Sequence, residues 1–398
     1  MSHSENRDGQ GKHPLSSALG GILFLSGLFY LNFVSRVIFS PLLPVIEEEM
    51  GLNHTRSGSL FLFLSVGYFL SILASGFVAA RLGHKRSIVL SCVGLGMVLL
   101  VLGSCSTLLG LRLGLFGIGI AAGLYFPSGL ATISSLVPTS YLARGIAVHE
   151  LAPNAAFVTA PLLCDLFLLH LSWRAGLALL GVLLIVCGIA YGLSSHGCTD
   201  RGRAPDLGAL VSFLRMPAFW GMILLFSLAI GATHGIYSMA PLFLVNDHGM
   251  DLEGANSLLA ISRLSSIFMP LAGGWIADRF GQQRIMGLVL LLTGLCTLMM
   301  GLVESRAWLV TFVVAQPLFA VCFFSAGFAV LSRLGANQFG NLAVTLCLPF
   351  AFLLGAGVMP TLIGWIGDSI SISSGFVIMG VFMTISGAGS YVITRKQR

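Results

Sequence analysis

The chain is a succession of apolar runs, each about as long as a bilayer is thick. A spanning helix needs about 20 apolar residues. Twelve such runs, divided by Gly, Pro and charge, can be read along the sequence: 18–43, 57–80, 87–106, 110–136, 144–168, 173–193, 217–244, 254–277, 285–304, 308–333, 340–366 and 374–394. Composition agrees. Apolar residues make up 56% of the chain and charged residues 9%, whereas a soluble domain carries about 25% charged residues. Mean hydropathy is +0.94. So little charge cannot cover a water-facing surface, and the expected fold is an all-α membrane protein with twelve transmembrane helices in two six-helix, pseudo-symmetric halves.

Lys and Arg set the expected orientation. With the N-terminus inside, fifteen of them fall on that side, at 7, 12, 81, 85, 86, 144, 201, 203, 215, 279, 284, 333, 395, 396 and 398. Four fall on the other: Arg56, Arg112, Arg174 and Arg306. The bias predicts a multi-pass protein of a bacterial plasma (inner) membrane with both termini cytoplasmic. The expected organisation is a tail at 1–17, a six-helix bundle at 18–194, a polar linker at 195–216, a second bundle at 217–394 and a tail at 395–398. The first 17 residues are polar and do not read as a signal peptide. The net charge of +6 is scattered without a stripe, which argues against nucleic acid as a partner. The eight cysteines contain no C-x-x-C pair and read as small buried hydrophobes. No metal spacing, nucleotide-binding Gly-rich loop or nucleophile arrangement is present, so no cofactor is expected and an enzyme is not.

The chain also repeats itself. At an offset of 198, Gly51, Ser59, Leu60, Leu73, Ala74, Gly76, Ala79, Arg81, Gly83 and Arg86 meet identical residues without a gap. Gly129 and Ala131 match Gly327 and Ala329 at the same offset. Six crossings return the chain to the same side, so the halves form a parallel repeat. Such a repeat places a binding site between the halves near the midplane.

The repeated segment carries a signature. After the second run the chain reads Gly76-Phe-Val-Ala-Ala-Arg81-Leu-Gly83-His-Lys85-Arg86, and after the eighth Gly274-Trp-Ile-Ala-Asp278-Arg279-Phe-Gly281-Gln-Gln-Arg284. Both resemble the G-x-x-x-D-R-x-G-[RK]-x-[RK] loop of the major facilitator superfamily, and the likeness extends over essentially the whole chain. The resemblance implies a transporter whose loops latch one of two alternating states. The first copy departs from the pattern, with Ala80 in place of the acid, whereas Asp278 and Arg279 complete the second. Pro161-Leu-Leu163 and Ser172-Trp173-Arg174 are weaker family echoes; the latter also reads as an interfacial anchor. Asn53-His-Thr55 matches a glycosylation pattern and is taken as incidental.

Charge inside the membrane is costly and marks function by default. The candidates at depth are Arg36, His149, Glu150, His234 and Arg263. His234 is the repeat-mate of Arg36, and Ser65 that of Arg263, so the cavity is not charge-symmetric. Arg36 reads either as a bidentate fork for an anion or as an ion-pair partner of Glu150. Arg263 has no acid within a turn of its own span and reads as a substrate ligand. The resemblance adds that some carboxylate carriers place an arginine on the eighth span, and some sugar-acid and organic-phosphate carriers one on the first. Glu150 is a candidate proton carrier, a static partner of Arg36 or a hydrated group. His234 is a candidate proton relay or substrate donor. Asn32, Tyr30 and Gln316 are candidate cavity linings, as are Tyr125 and Tyr237.

These features predict a monomeric secondary active transporter of a small anion, such as a carboxylate, coupled to protons or another ion. The rivals are a drug or metabolite efflux carrier of the same fold and a non-transporting membrane sensor or assembly factor.

Overall fold

The computed structural model describes residues 15–194, 214–333 and 342–395. The expected linker lies almost wholly outside the described residues, as do most of both tails. In chain order the spans are α1 (Ala18–Val37), α2 (His54–Leu82), α3 (His84–Leu102), α4 (Leu108–Leu136), α5 (Ser140–His170), α6 (Trp173–Leu193), α7 (Pro217–Asp247), α8 (Leu252–Ile267 with Met269–Phe280, bent by 44°), α9 (Gln282–Leu302), α10 (Arg306–Leu331), α11 (Ala343–Ser369) and α12 (Ile372–Ser390). Eleven are single helices long and apolar enough to cross a membrane, and α8 is a bent pair that makes a twelfth span. Large apolar side chains face outward along them, among them Leu169, Leu193 and Leu271, each at least 75% exposed. In a membrane that surface is covered by lipid.

Two spans differ from their sequence-expected course, and proline explains both. The first run was expected to continue to 43 with an outer end kinked at Pro41 and Pro44; its helix ends outright at Val37. A turn then leads through Pro41 into a short helix, Leu43–Met50, with Pro44 in its first turn. Proline lacks an amide donor and suits a helix start better than a helix interior. The eighth run was read as continuous. Its first helix instead ends at Arg263, tightens into a 3₁₀ turn over Leu264–Ile267, and resumes at Met269 with Pro270 in the new first turn. The Pro270 ring would clash with the carbonyl of Ser266, four residues earlier, in an unbroken helix.

Several starts are capped by side chains. Asn53, Thr107, Ser172 and Asp251 accept from the amides of Arg56, Gly110, Ala175 and Gly254 at 3.0–3.2 Å. Asn53 therefore has a structural role as the N-cap of α2.

Packing reproduces the repeat. In the first half α1 packs on α5, α2 on α4 and α3 on α6; in the second α7 packs on α11, α8 on α10 and α9 on α12. Each pair is its counterpart shifted by six helices. The halves meet along α2 with α11 and α5 with α8, again related by six. The positive-φ glycines obey the same symmetry: Gly51 (59°) matches Gly249 (60°), and Gly83 (84°) matches Gly281 (97°). Gly83 and Gly281 are the turn glycines of the repeated signature, and side-chain residues rarely adopt that backbone conformation. The close helix approach falls one residue before signature Gly274, where a Cβ at Gly273 would lie 2.8 Å from the Cβ of Cys322.

The contacts between halves concentrate at the end away from the termini. Asp368 on α11 accepts from the backbone amides of His54 and Thr55 at the start of α2, both at 2.9 Å. Asp165 on α5 accepts from Asn256 on α8 at 2.6 Å. Ser40 donates to the Tyr237 carbonyl at 2.6 Å. Gly58, Gly357 and Gly364 let α2 and α11 touch backbone to backbone; a Cβ at Gly58 would strike the Pro360 carbonyl, and one at Gly364 the His54 carbonyl. This end is shut.

A further tie at the same end joins the short helix to α6. Trp173 Nε1 donates to Glu49 Oε2 at 2.6 Å, and Arg174 donates to Glu49 Oε1. Trp173 is 2% exposed, so it is a packed contact and not the interfacial anchor that its position suggested. Trp173 and then Arg174 hold the Glu49 carboxyl below its usual 4.5. A depressed folded-state pKa adds stability that is present above the ordinary value and lost as pH falls through the folded one. Glu49→Gln is therefore expected to lower the melting temperature slightly at pH 7, and the deficit is expected to shrink as pH falls below the usual carboxylate range. Thermal scans over that range check the sign.

Candidate functional site

A cavity of about 290 Å³ lies between the halves. Arg36 on α1, Glu150 on α5, His234 on α7 and Arg263 on α8 all line it. Both halves thus contribute charge to one space. Its apolar wall includes Phe29, Phe33, Phe126 and Phe157 from the first half, and Phe324, Phe328 and Phe352 from the second.

On α1 the cavity stripe is Phe29, Phe33 and Arg36, spaced i, i+4, i+7 along one helix face. Arg36 is 7% exposed, and its guanidinium carbon sits 4.4 Å from the Phe33 ring centre and 4.6 Å from that of Tyr68. Its Nε has no hydrogen-bond partner. Arg263 is 3% exposed and rests 4.8 Å from the ring centres of both Phe157 and Tyr237. Its Nη2 donates to the Thr233 carbonyl at 2.8 Å, while Nε and Nη1 have no partner. Each arginine is thus held by one Phe and one Tyr ring, a cation–π arrangement worth about 0.5–2 kcal/mol. Among the described residues neither is within 4.0 Å of a carboxylate. Ser266, placed by the 3₁₀ turn that follows Arg263, also lines the cavity with its Oγ unpartnered.

His234 lies in a π-helical turn, Gly231–Gly235, which places it among Phe33, Phe157 and Phe352 with ring centres 5.0–5.8 Å away. Its Nδ1 is 3.0 Å from Thr233 Oγ1, and its Nε2 is buried without a partner.

A second, smaller space of about 40 Å³ lies on the shut side. Phe33, Arg36, Tyr68, Phe157, His234 and Phe352 line both spaces and form the wall between them.

Arg36, Glu150, His234 and Arg263 come together, and Asn32, Tyr30 and Gln316 do not. Asn32 faces away from the cavity, donating to Ser91 Oγ at 3.3 Å and to the Ala122 carbonyl at 3.4 Å. Tyr30 bonds Thr159 at 2.7 Å on the opposite flank. Gln316 donates to the Ala232 carbonyl at 2.9 Å. All three tie helices together outside the cavity lining. One residue, a rotation of about 100°, is enough to miss the stripe.

The Arg36–Glu150 pair is not formed. The Glu150 side chain is 44% exposed, and its Oε1 approaches His149 Nδ1 at 3.4 Å. His149 is fully buried, stacked 4.3 Å from the Phe29 ring with Tyr125 beyond it, and is a packed histidine. Asp165 was missed by the sequence reading, although an acid inside an apolar run was a visible signal. Tyr68 as an arginine platform had no signal beyond being aromatic, whereas Tyr237, expected as a cavity lining, lines the smaller space and carries Arg263; Tyr125 is stacked with His149.

At the terminus-bearing end, the first signature loop bonds within its own half: His84 Nδ1 lies 3.3 Å from Ser128 Oγ, and Lys85 Nζ donates to the Ser194 carbonyl. Asp278 accepts from Gln282 at 3.4 Å, and Arg279 lies 5.7 Å from the Trp275 and Phe280 ring centres. Arg81 and Arg86 carry no hydrogen bond or ion pair from their side chains among the described residues. Asp278 and Arg279 do not pair with each other.

The Major Facilitator Superfamily model matches residues 25–279 and 255–398. The "Probable L-galactonate transporter" of Escherichia coli strain K12 is 23% identical over 94% of this chain and 88% of its own. The "Probable sulfoacetate transporter SauU" of Cupriavidus necator is 21% identical over 63% of each chain. Among solved structures, the inward-facing, unoccupied bacterial homologue of the human lysosomal transporter Spinster superposes with a TM-score of 0.83 at 17% identity, over 97% of this chain and 98% of that one. With twelve spans, a signature in each half and a family model covering nearly its whole length, the chain belongs to the Major Facilitator Superfamily.

Proposed function

We propose that the protein is a secondary active transporter of a small anion, working by alternating access and coupled to protons. One observation carries the reading: Arg36 and His234 line both the large cavity and the small one beyond it. A carrier needs the same groups to be reachable from either side, and here they border both the large cavity and the small space on its shut side. Two buried arginines without acids supply the affinity for an anion. The relatives named for L-galactonate and sulfoacetate, both anions, support that sign. In this reading the halves 18–194 and 217–394 rock about the site and the chain acts as a monomer. The described state is open toward the termini, on the cytoplasmic side of a bacterial inner membrane. The signature loops latch the other state.

Glu150 stands half-exposed at the cavity wall, where water can deliver a proton, and is the coupling group. His234, deeper and shared by both spaces, binds the anion and passes the proton. In proteoliposomes, uptake of the transported anion is expected to be driven by an inward proton gradient. Glu150→Gln should abolish the gradient-driven component while leaving exchange of anion for anion within about threefold of the parent, a difference under 1 kcal/mol. Gradient-driven uptake that survives the substitution would exclude Glu150. Binding of amphipathic cations, with none of carboxylates or sulfonates, would point to an efflux carrier instead.

A further inference from the structure

We propose that the cargo carries its charge on one compact head and is otherwise apolar: a carboxylate or sulfonate on an aromatic or short branched alkyl body. This deepens the anion-carrier reading and rests on it.

The head is specified by unsatisfied donors. Arg36 Nε, Arg263 Nε and Nη1, His234 Nε2 and Ser266 Oγ are all buried without partners, and all five belong to residues lining the one cavity. Buried polar groups are normally paired, so such a concentration marks the place of an absent ligand. Arginine offers donors alone, and a histidine nitrogen and a hydroxyl can donate too. That set suits an oxyanion, which accepts and does not donate.

The body is specified by what is missing. Thr233 Oγ1 is already engaged by the Ala229 and Ile230 carbonyls and by His234. Asn154 Nδ2 is turned back onto the Glu150 carbonyl. The Glu150 carboxylate, the Asn154 amide oxygen and the Tyr68 hydroxyl remain, too few for a body with a hydroxyl on every carbon, and the carboxylate is half-exposed rather than deep. Phe324 and Phe328, one turn apart on α10, offer aromatic faces instead. Each hydroxyl of a sugar acid beyond those few would lose water without a replacement, at roughly tenfold in affinity apiece. A bare inorganic anion would satisfy the donors but leave the aromatic wall without a partner. At about 290 Å³ the space lies at the small end of ligand pockets, which run from about 300 to 1,000 Å³, and suits a single ring.

The test uses purified full-length protein and isothermal titration, at constant ionic strength, with phenylacetate, gluconate, nitrate and the uncharged phenylacetamide. Phenylacetate is expected to bind at least about tenfold tighter than gluconate or nitrate, and phenylacetamide not to bind. Gluconate or nitrate binding as tightly as phenylacetate overturns the apolar body and leaves the anion reading standing. Phenylacetamide binding as well as phenylacetate, or no anion binding at all, overturns both. In Phe328→Asn, checked for folding by its melting temperature, the preference for phenylacetate over gluconate should fall to within about threefold. An unchanged preference in the folded variant counts against the aromatic wall as the selecting surface.

Discussion

Arg263→Met should weaken anion binding about tenfold or more while leaving the empty protein at least as stable as the parent. The second half of that expectation separates a ligand-binding arginine from a structural one. Breaking a buried ion pair costs about 3–5 kcal/mol, because the surviving charge is left unpaired. Arg263 has no such partner. Its guanidinium is held by two rings and one carbonyl, with Nε and Nη1 unsatisfied. Methionine removes a poorly compensated charge and still fills the space beside Phe157 and Tyr237. The binding loss follows from charge-assisted hydrogen bonds, worth about 1.5–3 kcal/mol each, so affinity should fall by roughly tenfold to more than a hundredfold. Melting temperatures with and without phenylacetate read both quantities. A fall of several degrees in the empty protein would make Arg263 structural. Arg36→Met should behave alike, since Arg36 also rests on rings and has no acid partner.

The second large effect concerns the shut end. Gly58→Ala or Gly364→Ala should drive the α2–α11 contact apart. In both cases the new methyl meets backbone atoms, of Pro360 and Thr361 or of His54 and Thr55, which no rotamer change can move aside. Overpacking of this kind costs about 1–3 kcal/mol, enough to shift a two-state population roughly tenfold or more. Hydrogen exchange at the His54 and Thr55 amides, both held by Asp368 in this state, should accelerate. Turnover should fall by a similar factor, because one of the two alternating states has become costly. Unchanged protection at those amides would mean that the close approach does not hold this end shut.

The fold was legible because a bilayer enforces it. Length and hydropathy located every span, and the offset of 198 predicted the packing symmetry that the helix pairs and turn glycines show. The bend in α8 was legible in principle through Pro270, but the run around it is apolar enough to read straight through. For the site, depth could be read and direction could not. Arg36, His234 and Arg263 were picked out because charge is expensive in lipid, whichever way it points. Asn32, Tyr30 and Gln316 were chosen on chemistry alone, and helix phase turned each of them away. The stripe Phe29, Phe33, Arg36 was present in the sequence, yet aromatic residues facing a cavity look the same as aromatic residues facing lipid. The pairing of Arg36 with Glu150 failed for a similar reason. The two could share a space without touching, and Glu150 sits where water already satisfies it.

That half-exposed carboxylate bears on a quantity outside the site itself, the electrical cost of a transport cycle. An anion crossing alone against an opposing membrane potential does work of about 2.3 kcal/mol per 100 mV. If a proton on Glu150 crosses with a monoanion, the pair is neutral and voltage drops out of the driving force, leaving the two concentration gradients. If Glu150 never leaves water, the potential acts in full. Whether the cell's voltage opposes this carrier would then rest on one side chain, 44% exposed, at the wall of the cavity.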